Sequence, residues 1–445
     1  MSPEARSPRE AILQFLTSLQ SPARILVAIS GGSDSTGLLF LLDEAGKAAP
    51  NLKISLCAAT VDHALRAGSA DEAREVAALC TSLGIPHTIM TWQGAKPKAG
   101  IMAAAREARY GLLANAAESV TADLIVTGHT FDDQRETLAM RGMRTEQVSS
   151  GIADAVLFDR RFWILRPLLF STRTDIRALL RERSVRWVDD PSNEDMKYER
   201  VRTRRQLTAE RGTEKDIRAA WDERLALSSR GAEWLDRHFR LHGGLLGQVM
   251  PDGLRQDRAL LDYVLGRLTA VLGGQPFVPG RAQMERLLLF AASGEPGRMT
   301  VGRVVFDLRR DGLYFSRESR GILPLVLPPG EAGEWDGRFI VSNGLDVSIE
   351  IEAAASPRTG MREDHFEHLP KAAWNRAIAS APALSAGGAP LSPESAGAID
   401  LTPYFAPFDR FLTRFDFIFA NRLSAVFATA PYARPPLRSI DGKTI

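Results

Sequence analysis

Cysteine is nearly absent from this 445-residue sequence: only Cys57 and Cys80 occur, and they form no C-x-x-C pair. That excludes a thiolate zinc cage and a dithiol redox couple, and both residues read as buried packing positions. No apolar run approaches the roughly 18 residues needed to span a bilayer. The first residues, MSPEARSPRE, lack the apolar core of a secretory signal. No membrane partner is therefore expected, and the cytoplasm is the expected location. An excess of charge is missing too, since 56 Lys and Arg against 54 Asp and Glu leave a net +2. Whole-chain charge thus announces no polyanionic partner, which leaves local basic zones to carry one. Neither G-x-x-x-x-G-K-S/T nor G-x-G-x-x-G occurs, so the commonest phosphate and dinucleotide loops are excluded.

What is present is an ordinary globular composition, 44% hydrophobic and 25% charged, long enough for two or three domains. The N-terminal part alternates strand and helix signals. Ser7, Pro8 and Glu10 read as a helix start, followed by a strand near residues 24–29 and the helix "GLLFLLDEA". "KISLCAATV" reads as a strand buried on both faces. "SADEAREVAALCTSLG" carries capping-box spacing at Ser69 and Glu72, with Gly84 as its stop. The strand "PHTIMTW", the helix "IMAAAREARYGLLANAAES" and the strand "ADLIVTG" continue the alternation. This pattern predicts an α/β fold with a parallel sheet, whose ligands gather at the carboxyl ends of the strands. Ser30 to Ser35, Val61 to His63 and Gly128 to Asp133 all follow strand ends and should share one crevice.

The expected domains are a Rossmann-like parallel-sheet domain over 1–212, a mainly helical domain over 213–320, and an α+β region over 321–445. Residues 377–398, rich in small residues and proline, are expected to be a flexible stretch. "GRVVFDLRRDGLYFSRES" reads as a hairpin with Asp-Gly at its turn.

The stretch "ISGGSDST" at 29–36 sits between a strand and a helix. Two glycines, hydroxyls and a helix N-terminus suit a phosphate or pyrophosphate. Asp34 would repel a phosphate unless a Mg2+ ion lay between them. "SGGSDS" resembles the pyrophosphate-binding loop of the N-type ATP pyrophosphatases. With "VDHALR", "AAAREARY", "GHTFDDQRET", "RPLL" and "WVDDPSN", the chain over about 20–210 resembles the bacterial tRNA(Ile)-lysidine synthetases.

The resemblance implies ATP-dependent ligation of free L-lysine to carbon 2 of the wobble cytidine of a minor isoleucine tRNA, through an adenylated base. It implies that Ser30, Gly31, Gly32, Ser33 and Ser35 hold pyrophosphate, that Asp34 positions Mg2+, and that Asp62 and His63 meet the nucleoside of ATP. Arg106, on one helix face with Arg109, is a candidate phosphate ligand. Asp133 and Glu136, three apart, are candidates for binding lysine, with Asp133 sharing the metal, and His129 is a second candidate base. Arginines between 160 and 205 make a basic zone, of which Arg200, Arg202, Arg204 and Arg205 in "ERVRTRR" are the expected tRNA contacts. A homodimer is left open. "MRGMRTEQVSSGIADA" departs from the glycine-serine-glycine stretch usual in relatives. The alternative is another tRNA-modifying enzyme with the same ATP chemistry, such as a thiolase, which would be expected to carry catalytic or cluster-binding cysteines.

Overall fold

A computed structural model of the chain describes residues 6–65, 68–97, 99–142, 150–188, 213–354, 368–392, 397–440 and 443–444. Two compact units are distinguished, Met1–Arg224 with Ala433–Ile445, and Leu225–Tyr432.

In the first unit, β1 (Ala23–Ala28), β2 (Ile54–Asp62), β3 (His87–Thr91) and β4 (Leu124–Thr127) alternate with α1 (Pro8–Ser18), α2 (Ser33–Ala48), α3 (Ser69–Leu83) and α4 (Ile101–Ser119). Next come α5 (Phe131–Gly142), the hairpin of β5 (Ala155–Phe158) and β6 (Phe162–Leu165), and α6 (Arg173–Glu182). These strands run in the order β5-β6-β4-β1-β2-β3. All neighbours are parallel except β5 and β6. Consecutive Ile25, Leu26 and Val27 are all buried, as a strand covered on both faces requires. The chain leaves β1 toward β2 and β3, then returns to the other side of β1 as β4. That reversal opens a crevice at the carboxyl ends of β1 and β4.

Two helix starts differ from expectation. Ser7 stands at the N-cap of α1 but makes no side-chain capping bond; its carbonyl accepts from Ala11 N–H at 3.0 Å, and Pro8 needs no partner for a missing N–H. The N-cap of α3 is Gly68, with φ +92°, so the hydroxyl residue Ser69 already lies inside the helix. Gly84 ends α3 in the left-handed conformation, as its position predicts.

Helix α7 (Glu214–His238) is continuous, and its later turns belong to the second unit. There α8 (Arg258–Leu272) and α9 (Arg281–Ala292) accompany an antiparallel sheet. Its strands β7 (Phe239–His242), β8 (Leu246–Val249), β9 (Gly297–Val301), β10 (Val304–Arg309) and β11 (Gly312–Arg317) run in the order β7-β8-β11-β10-β9. Residues 213–320, expected to be mainly helical, thus also carry a five-stranded sheet, because strands of four to six residues carry too little alternation to stand out in sequence. The expected β10–β11 hairpin forms, but its two-residue turn is Arg310 and Asp311 rather than Asp311 and Gly312, because Gly312 already pairs with Arg309. The stretch 377–398, expected to be flexible, contains the strand Pro382–Ala386, paired with Ile349–Ala353. Composition misleads there because Ala377, Ala381 and Ala383 are small residues packed into a core.

Helix α6 packs closely on α2. A Cβ on Gly37 would lie 2.3 Å from Ile176 Cγ2. Gly37→Ala should destabilise the fold by about 1–3 kcal/mol through overpacking. In chemical denaturation, the loss in Gly37→Ala/Ile176→Ala should be smaller than the sum of the single losses; strict additivity would refute the contact.

Candidate active site

The turn after β1 is held open by its own hydroxyls. Ser35 Oγ accepts from Ser30 N–H at 3.2 Å and donates to the Gly32 carbonyl at 3.1 Å, while Thr36 Oγ1 donates to the Gly31 carbonyl at 3.2 Å. Gly31 has φ +87°, a conformation that penalises a side chain. The N–H of Val188 bonds the Gly31 carbonyl at 2.8 Å and pins the turn from outside. Gly32 is the N-cap of α2, so the helix N-terminus opens where an anion would sit.

The turn after β4 approaches closely. A Cβ on Gly128 would lie 2.8 Å from the backbone of Asp34 and Ser35, so only glycine fits there. His129 follows, its Nδ1 2.9 Å from Thr127 Oγ1. Asp133 Oδ2 accepts from Thr130 N–H at 2.9 Å and from Thr130 Oγ1 at 3.0 Å, which anchors the start of α5. Glu136, one turn on, is buried.

Between the two turns stands Arg173, the first residue of α6. Its Nε donates to Asp34 Oδ2 at 2.8 Å, and its guanidinium lies 3.8 Å from Asp133 Oδ1. Its backbone N–H donates to Asp132 Oδ2 at 2.8 Å. One turn along, Arg177 Nε donates to Ser33 Oγ at 3.1 Å. Burial raises the pKa of Asp34; Arg173 opposes this and Asp133 adds to it.

At the end of β2, Asp62 Oδ1 accepts from Ala64 N–H at 2.8 Å, which stabilises the left-handed turn at Ala64. His63 packs edge-on against Trp92, with ring centroids 5.9 Å apart. Its buried Nδ1 has no hydrogen-bond partner among the described residues. Burial lowers the His63 pKa, Arg109 lowers it further, and Asp62 works in the opposite sense. Arg106, exposed on α4, lies 5.1 Å over the Tyr110 ring.

The structure thus brings Ser30 to Ser35, His129 and Asp133 to one crevice, and links Asp34 with Asp133 through Arg173. The expected tRNA contacts Arg200, Arg202, Arg204 and Arg205 lie outside the described residues. Three members of the basic zone need correction. Arg166 is buried, donating to the Ala153 carbonyl at 2.6 Å, so it presents no charge to a polyanion. Arg173 and Arg177 face the pyrophosphate-type turn, a role hidden in the sequence by the many neighbouring arginines. Their spacing of four after the capping residue Thr172 was the available signal.

Residues 5–211 match the PP-loop domain family. A tRNA(Ile)-lysidine synthase of Rhizobium meliloti is 42% identical, covering 96% of each chain. The chain belongs to the tRNA(Ile)-lysidine synthase family. Further members of the family from Mesorhizobium japonicum and Brucella ovis are 37% and 34% identical, covering 93% and 90% of this chain and 94% of each relative. A U34-tRNA thiolase structure from Methanococcus maripaludis matches at TM-score 0.36 and 18% identity, covering 46% of this chain and 80% of that one.

Because burial holds His63 below its ordinary value of 6.5, its ring should be neutral at pH 7. In NMR titration its midpoint should fall below 6.5, and a midpoint at or above that value would contradict the burial. Its stabilising share is complete above the unfolded pKa. That share is lost as pH falls from there through the folded value, because the unfolded chain then binds more protons.

Proposed function

We infer that this enzyme uses ATP to join free L-lysine to carbon 2 of the wobble cytidine of a minor isoleucine tRNA, releasing pyrophosphate and AMP. The observation carrying this reading is the SGGSDS turn at the end of β1, faced by Asp133 from the turn after β4, in a chain matched over nearly its whole length by lysidine synthases.

Oxygen 2 of cytidine attacks the α-phosphate, and the bond to pyrophosphate breaks. The amides around Gly31 and Gly32, the hydroxyls of Ser30, Ser33 and Ser35, and Arg177 supply donors where the leaving charge accumulates. The lysine amine then forms the new bond to carbon 2 while the oxygen departs with AMP. His63, with its buried, unpartnered Nδ1, and Asp62 suit the nucleoside of ATP. Arg106 and Arg109 extend the cationic side of the crevice.

The site also suits Mg2+. Asp34 and Asp133 face the same guanidinium from two turns, which leaves both carboxylates beside one charged spot. Among the described residues no set of three or more His, Cys, Asp or Glu forms a complete cage. Mg2+ is commonly held by one or two carboxylates with phosphate oxygens completing the shell. Asp34 and Asp133 would hold it, and it would neutralise phosphate charge.

Asp133 and Glu136 are proposed to recognise lysine. A free amine with a pKa of about 10.4 is neutral in only about one molecule in 2,500 at pH 7, so a base must take its proton. A carboxylate of this pair or His129 does so. Arg200, Arg202, Arg204 and Arg205 are the proposed tRNA contacts, and homodimerisation is open to measurement. Thiolation is disfavoured because burial pushes both cysteine thiols up to about 11, opposite to a reactive thiolate.

With ATP, Mg2+, lysine and the isoleucine tRNA transcript, mass spectrometry of tRNA digests should show cytidine converted to lysidine. Unchanged cytidine beside an active control enzyme would refute the activity. Asp34→Asn should abolish pyrophosphate release with the fold intact by circular dichroism. Glu136→Gln should raise KM for lysine about tenfold or more, equivalent to about 1.4 kcal/mol, while pyrophosphate release without lysine persists. An unchanged KM would remove Glu136 from the lysine site.

A further inference from the structure

Arg173 occupies the position toward which both carboxylates point. Asp34 Oδ2 accepts its Nε–H at 2.8 Å, and Asp133 Oδ1 lies 3.8 Å from its terminal nitrogen. All three side chains are largely buried, at 20%, 16% and 12% exposure. Two buried carboxylates that face one guanidinium repel each other where water is scarce, and the cation between them offsets that repulsion. The guanidinium is fixed there by covalent and hydrogen-bonded geometry, because its own backbone N–H is tied to Asp132. A metal ion on either oxygen of Asp34 would lie beside the guanidinium, and two cations that close repel where water is scarce. Guanidinium and metal therefore compete for one place, and a guanidinium displaced from a carboxylate is well shaped to pair with phosphate oxygens.

We propose that Arg173 is a resident cation that holds Asp34 and Asp133 in register before nucleotide arrives, and yields Asp34 to Mg2+ only when ATP offers its guanidinium a phosphate in exchange. This rests on the reading of Asp34 as a metal ligand. The consequence is coupling: Mg2+ alone must displace an ion pair without recompense, whereas Mg2+ with ATP gives every charge a new partner. A purely structural Arg173, tying α6 to the turn after β1, would lower stability when removed but would not change metal uptake.

The test uses the full-length protein without nucleotide, titrated with MgCl2 at constant ionic strength, followed by calorimetry and thermal unfolding. Wild type should show little uptake of Mg2+ alone. Arg173→Gln should bind Mg2+ about tenfold more tightly with a saturable rise in Tm, and Arg173→Gln/Asp34→Asn should lose that gain. The same single variant should bind ATP with Mg2+ about tenfold more weakly. If Arg173→Gln responds to MgCl2 as wild type does, the proposal fails. Should that variant not fold, Arg173→Lys replaces it: one ammonium cannot bridge both carboxylates, so uptake of Mg2+ alone should rise about threefold, and wild-type behaviour overturns the proposal. Wild-type protein that takes up no ATP in the presence of Mg2+ would instead refute the reading of the site itself.

Discussion

Everything at the crevice depends on how near the turn after β4 comes to the first turn of α2. Gly128 makes that approach, with the backbone of Asp34 and Ser35 within 2.8 Å of where a Cβ would be. The contact places a carboxylate from each turn on one spot, and the repulsion this creates has to be balanced within the protein. Arg173 supplies the balance. The position of α6 follows from the same need, with Gly37 removed of any side chain so that Ile176 can sit against α2. The proposed triphosphate site thus rests on one steric allowance and one compensated charge pair, carried on buried parallel strands.

The division of labour between donors follows from the same frame. Hydroxyls of the turn after β1 spend part of their capacity on their own backbone, as Ser35 and Thr36 do, which keeps amides directed outward. Arg177 reaches Ser33 from α6, so the cationic side of the site comes from a helix that enters after the sheet is complete. At the end of β2, burial and then Arg109 lower the pKa of His63, whose ring packs edge-on against Trp92 and whose buried Nδ1 has no hydrogen-bond partner among the described residues. In the proposed reading, an uncharged ring there and charged donors elsewhere would separate nucleoside recognition from phosphate recognition.

Some expectations failed for identifiable reasons. Arg166 and Arg173 counted in sequence as part of a basic surface, yet one is buried against the Ala153 carbonyl and the other against acids. Charge in a linear string cannot tell a solvated arginine from one that neutralises a buried carboxylate distant in sequence. The flexible reading of 377–398 failed because alanine-rich composition describes both a loose loop and a tightly packed strand. Ser7 and Ser69 had the right type for caps, but the helices started with a carbonyl contact and with Gly68 instead.

Local chemistry alone was enough to read the alternation of strands and helices, the pyrophosphate-type turn, the presence of the β10–β11 hairpin though not the residues of its turn, and the inert placing of Cys57 and Cys80. Each depends on neighbours within a few residues, through periodicity, φ preference or a short turn. The partner of Asp34 could be decided only by tertiary structure. Arg173 lies 139 residues away in the chain, and a Coulomb contact between such distant residues is set by sheet order and helix packing, which no local pattern encodes.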